Sequence, residues 1–247
     1  MKPIWICHRG LKTHHLENTR EAFDAGVAAG FTWLETDLRA TSDGHVVLNH
    51  DETLDRVVES AHPTETIAVS DVTRSKLESV RLKGDHRLMF MDEFITRYAA
   101  YNWVLDIKPS SGAEVVSWLI NWAKQQNAVE YVREHVKFLC WVEAHESALR
   151  EAFPGVTFFA KKSECWRAGL AVLARIPGLG AIKTGRTYSV VARIGGQELF
   201  DRRVVETFRV RGARALAFLP TTLADAQRAV DAGFDEILSD SPWFRDL

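Results

Sequence analysis

Short runs rich in β-branched and aromatic residues alternate with longer amphipathic stretches along the whole chain. Alternation of this kind predicts βα units around a parallel sheet. The candidate strands are residues 4–8, 33–39, 103–108, 136–142, 156–161, one within 181–194, 215–219 and 236–239. Eight such units in 247 residues predict a TIM (β/α)8 barrel, which typically takes about 250 residues. We therefore expect a single domain over residues 1–247.

Capping residues mark the ends of the helices between these strands. Asn18 precedes a helical stretch at 19–29 and Glu21 lies three residues on, as in a capping box. Thr222 precedes a second stretch at 223–232, which Gly233 ends. The sequence therefore predicts a first helix capped by Asn18 and a last helix capped by Thr222.

Two segments depart from the alternation. Asp43-Gly44 is a turn signal between two extended runs, so residues 46–49 are predicted to form an extra strand outside the barrel. The stretch at about 52–90 is polar and has no clear period. We expect it to be a short, loop-rich insertion after the second strand, with a short helix near 72–80.

Composition and charge narrow the class of protein. Hydrophobic residues make up 46% and charged residues 26% of the chain, as in globular proteins. The net charge of −2 is spread along the chain, so no nucleic-acid partner is expected. No apolar run approaches the roughly 20 residues of a transmembrane helix, and no leader signal precedes the first strand. We predict a cytoplasmic protein without a transmembrane segment.

Acidic residues fall at the C-terminal ends of predicted strands, where the reacting groups of a β/α barrel collect. Glu35 and Asp37 are two residues apart on the second strand and so share a side, and Asp106 lies on the third. A Glu-x-Asp pair alone is more often an ion-paired strand edge. Three converging carboxylates, however, repel one another unless a cation lies among them, and their oxygens suit Mg²⁺ or Ca²⁺. The three acids together predict a divalent metal site.

Basic and imidazole side chains accompany these acids. Arg9 and Lys108 could hold the anionic charge of a phosphodiester. His8 ends the first strand and His50 follows the extra strand. Because imidazole titrates near pH 6.5, one ring could act as the base and the other as the acid of a hydrolysis. The hypothesis is acid–base cleavage of a metal-bound phosphodiester.

The order and spacing of these residues resemble the glycerophosphodiester phosphodiesterase family. The matching positions run almost continuously from residue 8 to 56, resume at 105–109 and return at 232–242. They include His8-Arg9-Gly10, Glu17-Asn18-Thr19, Phe23, Gly30, Glu35-x-Asp37, Thr41-x-Asp43-Gly44, Val47, His50-Asp51, Leu54, Arg56, Leu105-Asp106-Ile107-Lys108-Pro109 and Ser239-Asp240-Ser241-Pro242.

The resemblance implies metal-dependent hydrolysis of glycerophosphodiesters to sn-glycerol 3-phosphate and an alcohol. It implies roles for seven residues: His8 and His50 as the acid–base pair, Glu35, Asp37 and Asp106 as ligands of Mg²⁺ or Ca²⁺, and Arg9 and Lys108 as phosphate contacts. The substrate would be a small-molecule glycerophosphodiester or lysolipid, and the role one in lipid or glycerol metabolism.

Two alternatives stay open at this point. Asp106 stands where the family more often has glutamate, and a sphingomyelinase- or lysophospholipase D-like enzyme has an Asp-x-Lys arrangement there. In that enzyme a hydroxyl of the substrate attacks, and a cyclic phosphate forms. The Glu17-Asn18-Thr19 motif counts against it. The other alternative is a non-catalytic barrel that binds a phosphodiester or a protein partner, against which the presence of both histidines and all three acids counts.

Overall fold

A computed structural model describes residues 2–59 and 66–247 of the chain. Its strands are β1 (Ile4–His8), β2 (Trp33–Ala40), β3 (Val46–Leu48), β4 (Asn102–Ile107), β5 (Val136–Cys140), β6 (Thr157–Phe159), β7 (Arg186–Val190), β8 (Arg193–Ile194), β9 (Gln197–Glu198), β10 (Arg214–Phe218) and β11 (Glu236–Ser239). Its α-helices are α1 (Arg20–Ala28), α2 (Arg74–Glu78), α3 (Met91–Arg97), α4 (Gly112–Gln125), α5 (Val129–His135), α6 (Glu143–Ala152), α7 (Lys162–Leu173), α8 (Arg202–Arg209) and α9 (Leu223–Ala232). Each predicted strand coincides with an observed one.

The chain divides into two compact units, Met1–Cys7 with Thr157–Leu247, and His8–Val156. In the first unit the parallel strands lie in the order β1-β11-β10-β7-β6. Aromatic side chains of Tyr188, Phe208 and Phe234 form part of its core.

None of the helices in the described ranges combines the length and apolar composition needed to cross a bilayer.

The unit His8–Val156 contains the sheet β5-β4-β2-β3. Strands β2, β4 and β5 are parallel, whereas β3 pairs antiparallel with β2. The predicted extra strand is thereby confirmed. In the β2–β4 register Asp37 lies beside Asp106, and Thr36 lies beside Leu105. Parallel pairing therefore brings acids from distant parts of the chain to one end of this sheet.

The residue that caps the first helix differs from the prediction. Helix α1 begins at Arg20, and the hydroxyl of Thr19 accepts a hydrogen bond from the backbone N–H of Ala22 at 3.3 Å. The prediction of Asn18 as the cap was wrong, because its side chain is engaged by buried groups of β2 instead. At α9 the cap Thr222 is confirmed, since its hydroxyl accepts from the backbone of Asp225 at 3.1 Å.

The insertion predicted at about 52–90 includes residues 60–65, which lie outside the described residues. Within its described part, helix α2 falls inside the predicted helix at 72–80. Short 3₁₀ turns occupy Val69–Asp71 and Lys83–Asp85. Leu54, Leu77 and Leu82 pack with Val47 of β3 in a small apolar cluster, which fixes this segment against the sheet.

Candidate active site

Three buried carboxylates from adjacent strands meet in the unit His8–Val156. Glu35 and Asp37 of β2 and Asp106 of β4 are 6%, 0% and 6% exposed. One carboxylate oxygen of each lies within 4.8 Å of those of the other two. The predicted convergence of these acids is therefore present. Three oxygens at this spacing could hold a divalent cation that prefers hard ligands.

Lys108, the residue after β4, lies between two of these acids. Its Nζ is 2.7 Å from Oδ1 of Asp37 and 2.5 Å from Oδ2 of Asp106. Burial would lower the pKa of Lys108, but the two carboxylates outweigh burial and raise it. The side chain is thus a buried ammonium that offsets part of the acidic charge.

Arg9 supplies a second cation. Its Nε is 2.9 Å from Oδ2 of Asp37, and its Nη1 is 3.0 Å from Oε1 of Glu17. The backbone N–H of Arg9 donates to Oε2 of Glu35 at 3.1 Å. One residue therefore contacts both acids of β2, with its side chain on one and its backbone on the other.

The turn after β1 makes this double contact possible. Arg9 and Gly10 both have positive φ, 57° and 78°, in the left-handed region that favours glycine. A Cβ at Gly10 would lie 2.6 Å from the backbone carbon of Ala22 in α1. The His-Arg-Gly sequence thus needs its glycine for both the turn and the close approach of α1.

Burial and the neighbouring charges shift the pKa values of the three acids differently. Burial, together with the charge of Asp37, raises the pKa of Glu35 well above its usual value. Burial also raises the pKa of Asp106, although Lys108 opposes it. Burial acts on Asp37 in the same direction, but Lys108 and Arg9 outweigh it and lower the pKa of Asp37. The positive side chains therefore stabilise the charged form of Asp37 more than those of Glu35 and Asp106. A bound cation would mainly stabilise the charged forms of Glu35 and Asp106.

Neutral donors complete the contacts of the acids. Asn18 Nδ2 donates to Oδ2 of Asp37 at 2.9 Å, and Asn18 Oδ1 accepts from the Thr36 hydroxyl at 2.9 Å. The indole Nε1 of Trp141 donates to Oδ1 of Asp106 at 2.7 Å. Sequence reasoning missed both roles. The motif containing Asn18 was one signal, and the position of Trp141 just after β5 was another.

His50 lies two residues beyond β3, the strand that pairs with β2. The backbone N–H of Asn49 donates to the carbonyl of Asp37 at 3.1 Å, and the Arg39 guanidinium donates to the carbonyl of His50 at 2.8 and 3.2 Å. His50 Nδ1 is 2.7 Å from Oδ1 of Asp51. The ring is 37% exposed, and Asp51 fixes it through Nδ1, which leaves Nε2 for other partners.

A chain of ion pairs joins His50 to Arg9. Arg56 Nε is 2.5 Å from Oδ2 of Asp51, the residue that holds the His50 ring. Arg56 Nη2 is 2.7 Å from Oε1 of Glu17, which also contacts Arg9. Side chains from the β1–α1 loop and the β3 loop are therefore tied together around the site.

His8 is the last residue of β1 and is 6% exposed. Its Nδ1 lies 3.5 Å from Nζ of Lys12, four residues on in the same loop. Its covalent neighbour Arg9 contacts the acids directly. The structure thus brings Glu35, Asp37, Asp106, Lys108 and Arg9 into contact and places each histidine beside a residue that is linked to that group.

A match to a known protein family identifies the family of this chain. Residues 8–243 match the family described as the Glycerophosphoryl diester phosphodiesterase family. This chain belongs to that family. The sequence resemblance noted above is therefore confirmed, and the matched range includes every residue of the site.

A curated relative supports the assignment to this phosphodiesterase family. The chain is 45% identical over 56 residues to the Glycerophosphodiester phosphodiesterase of Caldanaerobacter subterraneus subsp. tengcongensis. That match covers 23% of this chain and 23% of the relative, so it spans less than a quarter of either protein.

Solved phosphodiesterase structures share the fold. A glycerophosphoryl diester phosphodiesterase domain from Mycobacterium tuberculosis has a TM-score of 0.78 at 17% identity and covers 99% of this chain and 98% of that one. An Oleispira antarctica phosphodiesterase in complex with the product sn-glycerol-3-phosphate has a TM-score of 0.71 at 19% identity, covering 99% and 96%. The predicted TIM (β/α)8 barrel is confirmed.

Proposed function

We propose that this protein is a phosphoric diester hydrolase that cleaves glycerophosphodiesters to sn-glycerol 3-phosphate and an alcohol. The observation that carries the proposal is the convergence of Glu35, Asp37 and Asp106 beside two buried or half-buried cations. Membership of the phosphodiesterase family supports it. So does the Oleispira antarctica phosphodiesterase, a protein of the same fold that holds sn-glycerol-3-phosphate.

The three acids would hold one divalent ion, Mg²⁺ or Ca²⁺. Their fit rests on donor chemistry and on charge: the ligands are all carboxylate oxygens within 4.8 Å of one another, and burial raises the pKa of Glu35 and of Asp106. When bound, such an ion polarises a phosphoryl oxygen of the diester. Lys108 and Arg9 are the side chains that we assign to the remaining phosphate charge.

His50 and His8 are the proton-transfer groups in this proposal. Asp51 Oδ1 accepts a hydrogen bond from Nδ1 of His50 and orients the ring, so Nε2 is the nitrogen that would exchange a proton. Arg56 forms an ion pair with Asp51 in turn, which helps to fix the orientation of the imidazole. His8 is assigned the complementary step, because an acid and a base are both needed to protonate the leaving alcohol and to activate the attacking oxygen.

A second candidate is favoured by one observation, the close Asp106–Lys108 contact of 2.5 Å in an Asp-x-Lys sequence. It is a sphingomyelinase- or lysophospholipase D-like phosphodiesterase, in which a hydroxyl of the substrate attacks phosphorus. The product would then be a cyclic phosphate rather than sn-glycerol 3-phosphate.

A release assay separates these functions. Several glycerophosphodiesters and a lysophospholipid are incubated with the protein, with and without Mg²⁺ or Ca²⁺, and products are followed by phosphorus NMR. We expect sn-glycerol 3-phosphate only with added ion, and loss of turnover in Asp106→Asn. The matched control is Asp92→Asn, an exposed acid of α3. A persistent cyclic diester would favour the second candidate, and full activity after exhaustive chelation would remove the metal from the proposal.

A further inference from the structure

Helix α7 and the 3₁₀ turn Pro177–Gly180 expose a cluster of large apolar side chains. Trp166 and Leu170 of α7 are 47% and 53% exposed. Ile176 and Leu179, which follow the helix, are 50% and 71% exposed. Single exposed apolar residues are ordinary, but four within α7 and the segment that follows it concentrate exposed apolar surface, a feature that often marks an interaction site. These four residues are called the α7 patch below.

The exposed residues lie on a surface that the rest of the unit holds in place. Trp166 and Leu170 are four residues apart and so share a face of α7. The opposite face is buried through Ala168 and Ala171. Arg167 Nε donates to the carbonyl of Gly180 at 3.2 Å, which ties the turn to the helix. The α7 patch is therefore presented on a fixed backbone and is not needed to fill the core.

Basic residues outnumber acidic ones in the segment that contains the α7 patch. One acid, Glu164, lies in the segment 161–183, and Lys183 Nζ pairs with it at 2.8 Å. Five basic residues lie in the same segment: Lys161, Lys162, Arg167, Arg175 and Lys183. The whole chain carries a net charge of −2, so this segment has the opposite sign to the molecule.

We propose that the α7 patch docks onto the surface of an anionic lipid bilayer. A face that combines a tryptophan and aliphatic side chains with lysines and arginines is the composition of elements that lie in the headgroup region. The apolar side chains would enter the interface, and the basic residues would contact lipid phosphates, whose negative surface potential attracts them. This inference does not depend on the proposed hydrolase activity.

Charge argues against a second copy of the chain as the occupant. A symmetric dimer through the α7 patch would place the same surface on both sides of the interface. It would therefore bring two excesses of positive charge together, whereas an anionic bilayer supplies the opposite charge over the whole face. A bilayer also needs no complementary groove in order to accept an exposed helix and turn.

Vesicle binding tests the proposal. The full-length protein is co-sedimented with vesicles of equal parts phosphatidylcholine and phosphatidylglycerol, and with vesicles of phosphatidylcholine alone. We expect binding to the anionic vesicles, weaker binding to the neutral ones, and a decrease as salt is added, because ions screen surface charge. A blue shift of tryptophan emission on binding, lost in Trp166→Ser, would place Trp166 in the interface.

Two variants probe the two parts of the surface. Trp166→Ser/Leu170→Ser removes apolar contacts and should weaken binding on the order of 10-fold or more. Lys162→Glu/Arg175→Glu should weaken binding to anionic vesicles by roughly 5-fold or more per changed residue. Val210→Ser, at an apolar position that is 73% exposed next to α8, is the matched control and should bind like the wild type.

Three outcomes would overturn the proposal. The first is no binding to anionic vesicles, and the second is equal binding by the wild type and Trp166→Ser/Leu170→Ser. The third is a dimer, seen by light scattering, that the same variant abolishes while the wild type does not bind vesicles. Thermal unfolding of each variant checks that its fold is intact, which we expect because the changed side chains are exposed.

Discussion

Trp141 and Lys108 hold opposite oxygens of one carboxylate, that of Asp106. The indole donates to Oδ1 at 2.7 Å, and the ammonium lies 2.5 Å from Oδ2. Asp106 is shorter by one methylene than the glutamate that the family resemblance leads one to expect. Two donors on its two oxygens fix the direction of this short side chain, so its position does not depend on a bound ion alone.

Trp141→Phe removes the donor and keeps an aromatic ring. Groups that orient metal ligands typically contribute 10- to 100-fold to affinity, so we expect binding of Mg²⁺ or Ca²⁺ to weaken by about 10-fold. Isothermal titration calorimetry measures this. Trp118→Phe on α4, away from the acids, is the control. Unchanged affinity in Trp141→Phe would show that the hydrogen bond does not position Asp106.

Lys108→Met should destabilise the ion-free protein. It leaves Asp37 and Asp106 buried without their shared cation, and breaking a buried ion pair typically costs about 3–5 kcal/mol. Urea unfolding in the presence of a chelator measures the loss. Adding Mg²⁺ or Ca²⁺ should restore more stability to this variant than to the wild type, since the ion replaces the missing charge. Lys124→Met, an exposed change on α4, should be near neutral.

His50→Ala should lower kcat by about 10²-fold or more, the usual scale for a positioned acid or base. Asp51→Asn should give a smaller loss, because it weakens the hold on the ring and keeps the imidazole. Steady-state kinetics on a glycerophosphodiester separate kcat from KM. Asp55→Asn, an exposed change four residues from Asp51, is the control. Normal turnover in His50→Ala would exclude this histidine from proton transfer.

Gly10→Ala and Gly44→Ala form a matched pair. Both glycines have positive φ, 78° and 80°, but an added Cβ at Gly10 meets Ala22 at 2.6 Å whereas nothing lies within 4 Å at Gly44. We expect Gly44→Ala to lower the free energy of unfolding by about 1 kcal/mol through backbone strain. Gly10→Ala should cost clearly more in the same urea experiment. Equal losses in the two variants would show that α1 moves away from the Cβ added by Gly10→Ala at no cost in free energy.

Cys165 should react slowly with alkylating reagents at neutral pH. Burial raises the pKa of its thiol to about 11. The reactive thiolate is therefore scarce at pH 8, and its fraction grows as the pH rises toward that value. Alkylation rates by mass spectrometry at several pH values, with Cys165→Ser to assign the signal, test this. Rapid labelling of Cys165 at pH 8 would contradict the raised pKa.

Local patterns in the sequence determined the elements of this protein and much of its chemistry. Alternation along a strand placed Glu35 and Asp37 on one side, and both are buried in the site. The Asp43-Gly44 turn signal gave the extra strand β3, and Thr222 gave the start of α9. These predictions succeeded because strand alternation, turns and caps depend on residues only a few positions apart.

Tertiary structure alone decided which side chains meet. Trp141 and Asp106 are 35 residues apart, and their contact requires β4 and β5 to pair in parallel. Asn18 looked like a helix cap in the sequence, but the fold directs its side chain to Asp37, 19 residues away. A local pattern cannot anticipate such contacts, because a buried polar group takes whichever partner the packed strands bring within hydrogen-bond distance.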